Sequence, residues 1–523
     1  MSDDNGHSGM DRRGFVRALA AAAAGGELAL GSAPAHAAPA TGPAAAPVSG
    51  PRPGVRRQQA PLIGIQMSPH TMLDEGIPYC LDLIQETAAI DTVMPYTHAF
   101  HTNNLRKPLR YLATDHGVAP KPAPGRVPQV WVRHHDESFR DTRLRVRPTD
   151  PAVEYADRDL FTEIRRPASE RGMKVYARIL ESSGASIENF DSAVTIDVYG
   201  QPTRTGCWRN PDYRNFWAAV AEDMFRSYDL DGFQWGAERM GPLMNVILPW
   251  NDTPPTCFCE HCVANGRANN IDPDRAREGY EKLYTYVRGL IDGGPKPREG
   301  VATVYLRHLI RYPEILSWEY QYRLGRELVT KTMYDTIKAI KPTAEVGWHV
   351  DHQPSSWDIV YRAEMSYEEM APHSDFIKFI AYHDVLGPRI RHWYLDRFQS
   401  TILSELSLEQ SLELYYALFG YDPATEPKLD ELDTKGFSPN YVFRETERSV
   451  ASANGKTKIY PGIGFDVPWG DATMEADPEE VYQATLKAFE AGASGIVVSR
   501  EYEEMKVPNL RAVGRAVREV KAG

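Results

Sequence analysis

From residue 61 to the C-terminus the sequence alternates two patterns. Short runs of β-branched and aromatic residues close on polar side chains, and between them apolar residues recur at helical spacing. The runs are Leu62 to Ser68, Thr92 to Ala99, Lys174 to Glu181, Gly232 to Glu238, Ala344 to Asp351, Asp375 to Asp384, Lys458 to Asp466 and Gly495 to Glu501. Buried strands that alternate with helices predict a parallel sheet, and eight such units predict an α/β fold, a (β/α)8 TIM barrel, as a single domain over 61–523. The helices carry their own punctuation. Asn210-Pro211-Asp212 predicts a capped start for the helix through Phe216, Val220 and Phe225, and Asp477-Pro478-Glu479-Glu480 opens the helix before the eighth strand. Asn509 to Lys521 predicts the closing helix, so no C-terminal accessory domain is expected. Two connections are long, 100–157 after the second strand and 239–314 after the fourth, the latter with a helix around Arg277 to Ile291. In a barrel such loops sit on the C-terminal face, where active sites are built.

The N-terminus stands apart from this pattern. Arg12-Arg13-Gly14-Phe15 precedes an Ala/Leu-rich run from Ala18 to Leu30, and Ala35-His36-Ala37 is a small-x-small cleavage site. The paired arginines resemble a twin-arginine export signal over 1–37, which implies a secreted, periplasmic or cell-surface protein that folds before it is exported. Residues 38–60, rich in Ala, Pro and Gly, read as a disordered leader. A formal charge of -12 argues against a nucleic-acid partner, and no apolar run after residue 40 is long enough for a membrane span. A homo-oligomer is compatible with all of this.

The five cysteines change the picture. Cys257, Cys259 and Cys262 are too close in sequence to pair among themselves, and with Cys207, just after the third strand, they make a four-thiolate set suited to structural Zn2+. His261 stands as an alternative ligand, and a disulfide with free thiols is the competing reading. Cys80 reads as a buried, inert thiol. A closed thiolate site does no chemistry; it would tie the loop after strand three to the loop after strand four, beside Glu238.

One cysteine after the third strand, a glutamate at the end of the fourth and then C-x-C-x2-C resembles the zinc-binding pattern of family 42 β-galactosidases and of looser glycosidase-like barrels that share the motif. The resemblance covers the barrel order and roughly 207–262. It implies a retaining glycosidase with an acid/base glutamate after strand four, here Glu238, and a carboxylate nucleophile after strand seven. This chain departs from the family in three ways: Ala237 precedes Glu238 where the family has Asn, the strand-seven end carries Asp466 rather than Glu, and the family's additional C-terminal domains are not expected here.

Glycoside hydrolysis needs two carboxyl groups across the scissile bond, one of them a protonated acid. Glu238, beside Phe233 and Trp235, is the expected acid, with Asp466 the first choice of partner, Asp384 the second, and Asp351 and Glu501 as further candidates. Arg239 is a candidate either to bind substrate or to pair with Glu238. Tyr96, His98, Trp235 and Trp469 supply rings that stack on sugars or hold their hydroxyls, and His349, Asp351, His383 and Glu501 add polar groups at strand ends. The expected function is therefore a secreted glycoside hydrolase acting on an oligosaccharide or glycoside, with no organic cofactor. Two other readings compete: a metal-dependent hydrolase or isomerase using the His and Asp residues of the mouth, and a non-catalytic carbohydrate-binding barrel.

Overall fold

The structure, a computed structural model, describes residues 60–99, 111–121, 128–181, 184, 186–249, 252–364, 366–470 and 472–523. The expected export signal, and the leader as far as residue 59, lie outside the described residues.

Eight parallel strands close a barrel in chain order. They are β1 (Leu62–Met67), β2 (Thr92–Pro95), β3 (Lys174–Leu180), β4 (Gly232–Gly236), β5 (Glu345–Val350), β6 (Phe376–Ile380), β7 (Lys458–Gly464) and β8 (Gly495–Ser499). Every one falls inside a run expected from the sequence. The outer ring is α1 (Ile77–Ala88), α2 (Leu160–Glu170), α3 (Pro211–Ser227), α4 (Glu314–Ile340), the single turn α5 (Tyr367–Met370), α6 (Pro439–Ala453), α7 (Pro478–Glu490) and α8 (Val507–Ala522). The capping chemistry is as the sequence implies: Asn210 accepts from the Asp212 amide at 2.9 Å, and Asp477 from the Glu479 amide at 2.7 Å.

The long connections lie over one end of the barrel. After β2, the segment around 111–121 crosses to the connections after the neighbouring β1 and β8, where the Ala113 amide donates to the Glu503 carbonyl at 2.8 Å and His116 bonds Glu75 and the Met505 carbonyl. Among its described residues the connection after β4 holds four helices, Pro242–Ile247, Glu260–Ala268, Pro273–Ile291 and Val301–Arg311, before α4 begins. A third long connection, which the sequence pattern did not single out, spans 381–438 after β6 and includes Leu408–Phe419.

The interior of the barrel divides into two zones. Leu62, Met94, Tyr176, Phe376, Tyr460 and Val497 form a separate buried apolar cluster at the N-terminal end, a plug of the kind that fills such barrels. One step up the same inward-facing register the filling becomes polar: Gln66, Arg178, Gln234, Lys378 and Ser499 are all buried. Buried charges are expensive unless paired, so this change of character marks the site.

Candidate active site

The two buried cations at the floor come from strand interiors. On β3, Arg178 donates to Glu501 Oε1 at 3.0 Å, and its guanidinium lies 3.9 Å from the ring centre of Tyr96. On β6, Lys378 Nζ is 3.5 Å from His349 Nδ1 and 3.3 Å from the Tyr382 hydroxyl. Burial, then the neighbouring Arg178, pushes the Lys378 amine well below its ordinary range. Two glycines make this packing fit. A Cβ on Gly462 of β7 would stand 2.5 Å from Lys378 Cε, and a Cβ on Gly236 of β4 would stand 2.7 Å from His349 Cβ.

Above this floor sit three groups from the ends of β4 and β5. His349 Nε2 is 3.1 Å from Glu238 Oε1, and ligand-type atoms of Glu238, His349 and Asp351 all lie within 4.8 Å of one another. Glu238 reaches solvent with 29 % of its side chain exposed, whereas His349 is buried. Burial, followed by the charge of Lys378, lowers the His349 imidazole to about 4, so it is neutral. Asp351 caps the short helix His352–Ser356 by accepting from the His352 amide at 2.6 Å. Burial and then the adjacent Glu238 carboxylate raise Asp351 to about 7.

That shift has a stability consequence with a definite sign. The folded protein holds the Asp351 proton more tightly than the unfolded chain, so folding stability falls as pH rises from about 4, the ordinary carboxyl value, towards 7. Asp351→Asn carries no such charge. Its thermal midpoint should exceed that of the wild type by a margin that opens across this window and is absent at pH 4; a constant margin would show that Asp351 is not perturbed.

The structure does not bring Asp466 to Glu238. Asp466 is fully buried at the foot of α8, where its carboxylate accepts from the Ala476 amide at 3.3 Å, the Lys506 amide at 2.9 Å and Asn509 Nδ2 at 2.9 Å. The carboxylate expected at the strand-seven end as a reacting group instead fastens α8 to the loop after β7. Asp384 is likewise internal: it accepts from the Val385 and Val467 amides at 2.8 and 3.1 Å, and burial raises it to about 8. Asp466→Ala should therefore cost about 3 kcal/mol of stability, since it strands three donors. Any activity of the folded protein should stay within about threefold, which thermal melts and kinetics on the same sample would check.

The other candidates divide similarly. Tyr96 and Glu501 belong to the floor through Arg178. Trp235 points outwards, packed edge-on against Trp208, Trp217 and Trp348, and so is core rather than a sugar platform. Arg239 turns away from Glu238: it stacks 4.0 Å from the ring centre of Trp208 and pairs with Glu181 at 2.8 Å. His98 is buried between Thr97 and His134 in a chain that ends on Asp223 of α3, where it anchors the loop after β2. His383 is buried, and its ring nitrogens have no hydrogen-bond partner among the described residues. Trp469 stacks on His392 and lies tilted against Trp393 in a half-exposed aromatic cluster on the connections after β6 and β7. Arg178 and Lys378 were missed, although a lone cation inside an apolar strand run, at a position facing the barrel axis, was the available signal.

The thiols converge as the sequence implied. Cys207, Cys257, Cys259 and Cys262 place their sulfurs within 4.8 Å of one another, with Cys207 Sγ 3.4 Å from Cys259 Sγ and 3.6 Å from Cys262 Sγ. A disulfide requires about 2.05 Å. Sulfurs about 2.3 Å from a tetrahedral zinc lie about 3.8 Å apart, close to the spacing seen. All five cysteines are free, and His261 is not part of the cluster. Cys259 is the N-cap of helix Glu260–Ala268, so the positive end of that helix faces the thiols.

No family model matches the chain, and no curated protein matches it either. Among solved structures, a β-galactosidase from the psychrophilic Marinomonas ef1 shares 10 % identity over 88 % of this chain and 59 % of its own, with a TM-score of 0.45. A β-galactosidase from the haloarchaeon Halorubrum lacusprofundi shares 12 % over 88 % of this chain and 58 % of its own, with a TM-score of 0.47. An exo-β-1,4-mannosidase from an Opitutaceae bacterium shares 11 % over 89 % of this chain and 60 % of its own, with a TM-score of 0.38. The chain thus spans less than two thirds of the length of each.

Proposed function

We propose that the protein is a glycoside hydrolase whose acting carboxyl pair is Glu238 and Asp351. The observation that carries this reading is the approach of the two groups, within 4.8 Å between oxygens, at the C-terminal end of adjacent strands with Glu238 open to solvent. A spacing near 5 Å fits retention of anomeric configuration; inversion needs room for a water between the groups. Glu501 Oε2 and the Gln234 amide are buried without a hydrogen-bond partner among the described residues, which supports a polar ligand above them. The test is a panel of aryl glycosides with the first-formed anomer read by proton NMR. Turnover with retention supports the reading. Saccharide binding without turnover of any panel member would favour the non-catalytic barrel instead.

The same three side chains are ligand types for a metal-dependent reaction. Arg178 faces them from below, and its positive charge opposes a divalent ion. Activity that disappears with a chelator and returns with added metal would favour the metal reading over ours. For the thiol cluster we propose structural zinc, held by Cys207, Cys257, Cys259 and Cys262. Export in the folded state would allow that metal to be loaded before the thiols meet an oxidising compartment.

A further inference from the structure

The hydrogen-bond order beneath Glu238 separates the roles of the two carboxyl groups. We infer that Lys378 and His349 are positioning residues that hold Glu238 as the ionised nucleophile and leave Asp351 as the proton donor, the reverse of the acid role expected for Glu238 from the sequence. The inference rests on the two-carboxylate reading and deepens it.

Burial opposes the ammonium form of Lys378 and the carboxylates of Glu238, Glu501 and Asp351 favour it; in that form the nitrogen can only donate, so at 3.5 Å it makes His349 Nδ1 the acceptor. A neutral imidazole that accepts at Nδ1 bears its proton on Nε2, and Nε2 is the atom that faces Glu238 Oε1 at 3.1 Å. Glu238 therefore receives a hydrogen bond, which favours its carboxylate form. The surrounding groups agree. Arg178 from β3 and Lys378 from β6 set positive charge around Glu238, Asp351 and Glu501, and the buried phenols of Tyr96 and Tyr382 complete the ring. Asp351 has one oxygen on the His352 amide at 2.6 Å and the other 3.4 Å from Gln353 Nε2, with the Glu238 charge on one hand and Arg389 and Lys378 on the other. Two like charges this close do not both ionise readily, so the pair keeps one proton; Glu238 is exposed and receives the His349 bond, whereas Asp351 is the more buried of the two, which puts the proton on Asp351.

The chemistry then balances in two steps. Glu238 attacks the anomeric carbon and forms a glycosyl ester as the bond to the leaving oxygen breaks. The electron pair goes to that oxygen, which takes the proton of Asp351. Water next attacks the anomeric carbon, Asp351 takes the proton of the water, and the ester bond breaks with its electron pair returning to Glu238.

Three measurements test this. Nitrogen-15 NMR of histidine-labelled protein should show His349 protonated on Nε2 and bare on Nδ1; a proton on Nδ1 overturns the inference without any substrate. Lys378→Met should lower kcat by about tenfold to a hundredfold with little change in KM, and should displace the pH limb that reports Glu238 ionisation. An unmoved pH profile overturns the part played by Lys378. Finally, Asp351→Gly and Glu238→Gly are compared on 2,4-dinitrophenyl glycosides with azide, glycine being tolerated at an N-cap. The Asp351 variant should yield glycosyl azide of retained configuration and the Glu238 variant of inverted configuration. Swapped products reverse the two roles while the carboxyl pair stands. No azide product from either variant, although the wild type turns over, removes the pair itself.

Discussion

Glu238→Gln is expected to lower kcat/KM on aryl glycosides by about 10³-fold or more, while the thermal midpoint stays close to that of the wild type. The size follows from removing a group that reacts in the transition state, a loss of the order of 4 kcal/mol. The small cost in stability follows from geometry. The side chain is 29 % exposed, and a glutamine keeps an oxygen to accept from His349 Nε2. Asp351→Asn should lose a comparable factor on substrates with poor leaving groups and much less on dinitrophenyl glycosides, whose departure needs little proton donation. Parallel kinetics on the two substrate classes separate these patterns. If Glu238→Gln kept more than about a tenth of wild-type activity, Glu238 would not be one of the reacting groups.

The second large effect concerns the thiols. Cys259→Ser should abolish stoichiometric zinc and destabilise the fold by the order of 5 kcal/mol, because structural zinc binding is itself folding free energy. The damage should spread beyond the loop. Cys207 is followed by Trp208, on which Arg239 stacks, and Arg239 also donates to the Gly206 carbonyl at 2.9 Å. Loosening one loop therefore loosens the segment that carries Glu238. Cys80→Ala is the control: Cys80 lies outside the cluster, with its thiol against Glu75 at 3.4 Å, and metal content should be unchanged. Elemental analysis with thermal melts decides the matter, and full stability of a zinc-free Cys259→Ser protein would remove the metal from the account.

Barrel order was legible in the sequence because strand-length apolar runs recur between capped helices, and each run needs only local information. The thiol cluster was legible for a similar reason, since three of its members lie within six residues, 257–262. The second carboxylate was not. Asp351, Asp384 and Asp466 all end predicted strands, and their fates depend on which backbone amides happen to close around them. Asp466 and Asp384 meet two or more backbone amides inside the fold, whereas Asp351 meets one and Glu238. Trp235 shows the parity problem on a single strand. Gln234 and Gly236 of β4 face the axis, so Trp235 between them must face α3. Counting alternate residues inwards from the apolar plug would have found Arg178 and Lys378 as well.

The charged layer above the plug also bears on how this barrel would respond to engineering. Lys378, and Arg178 together with its partner Glu501, occupy buried positions where apolar replacement of the whole charged group would make a more heat-resistant protein. A laboratory selection for melting temperature alone would thus tend to replace the very groups that surround Glu238, and consensus or cavity-filling designs should hold them fixed and seek their gains on the outer helices.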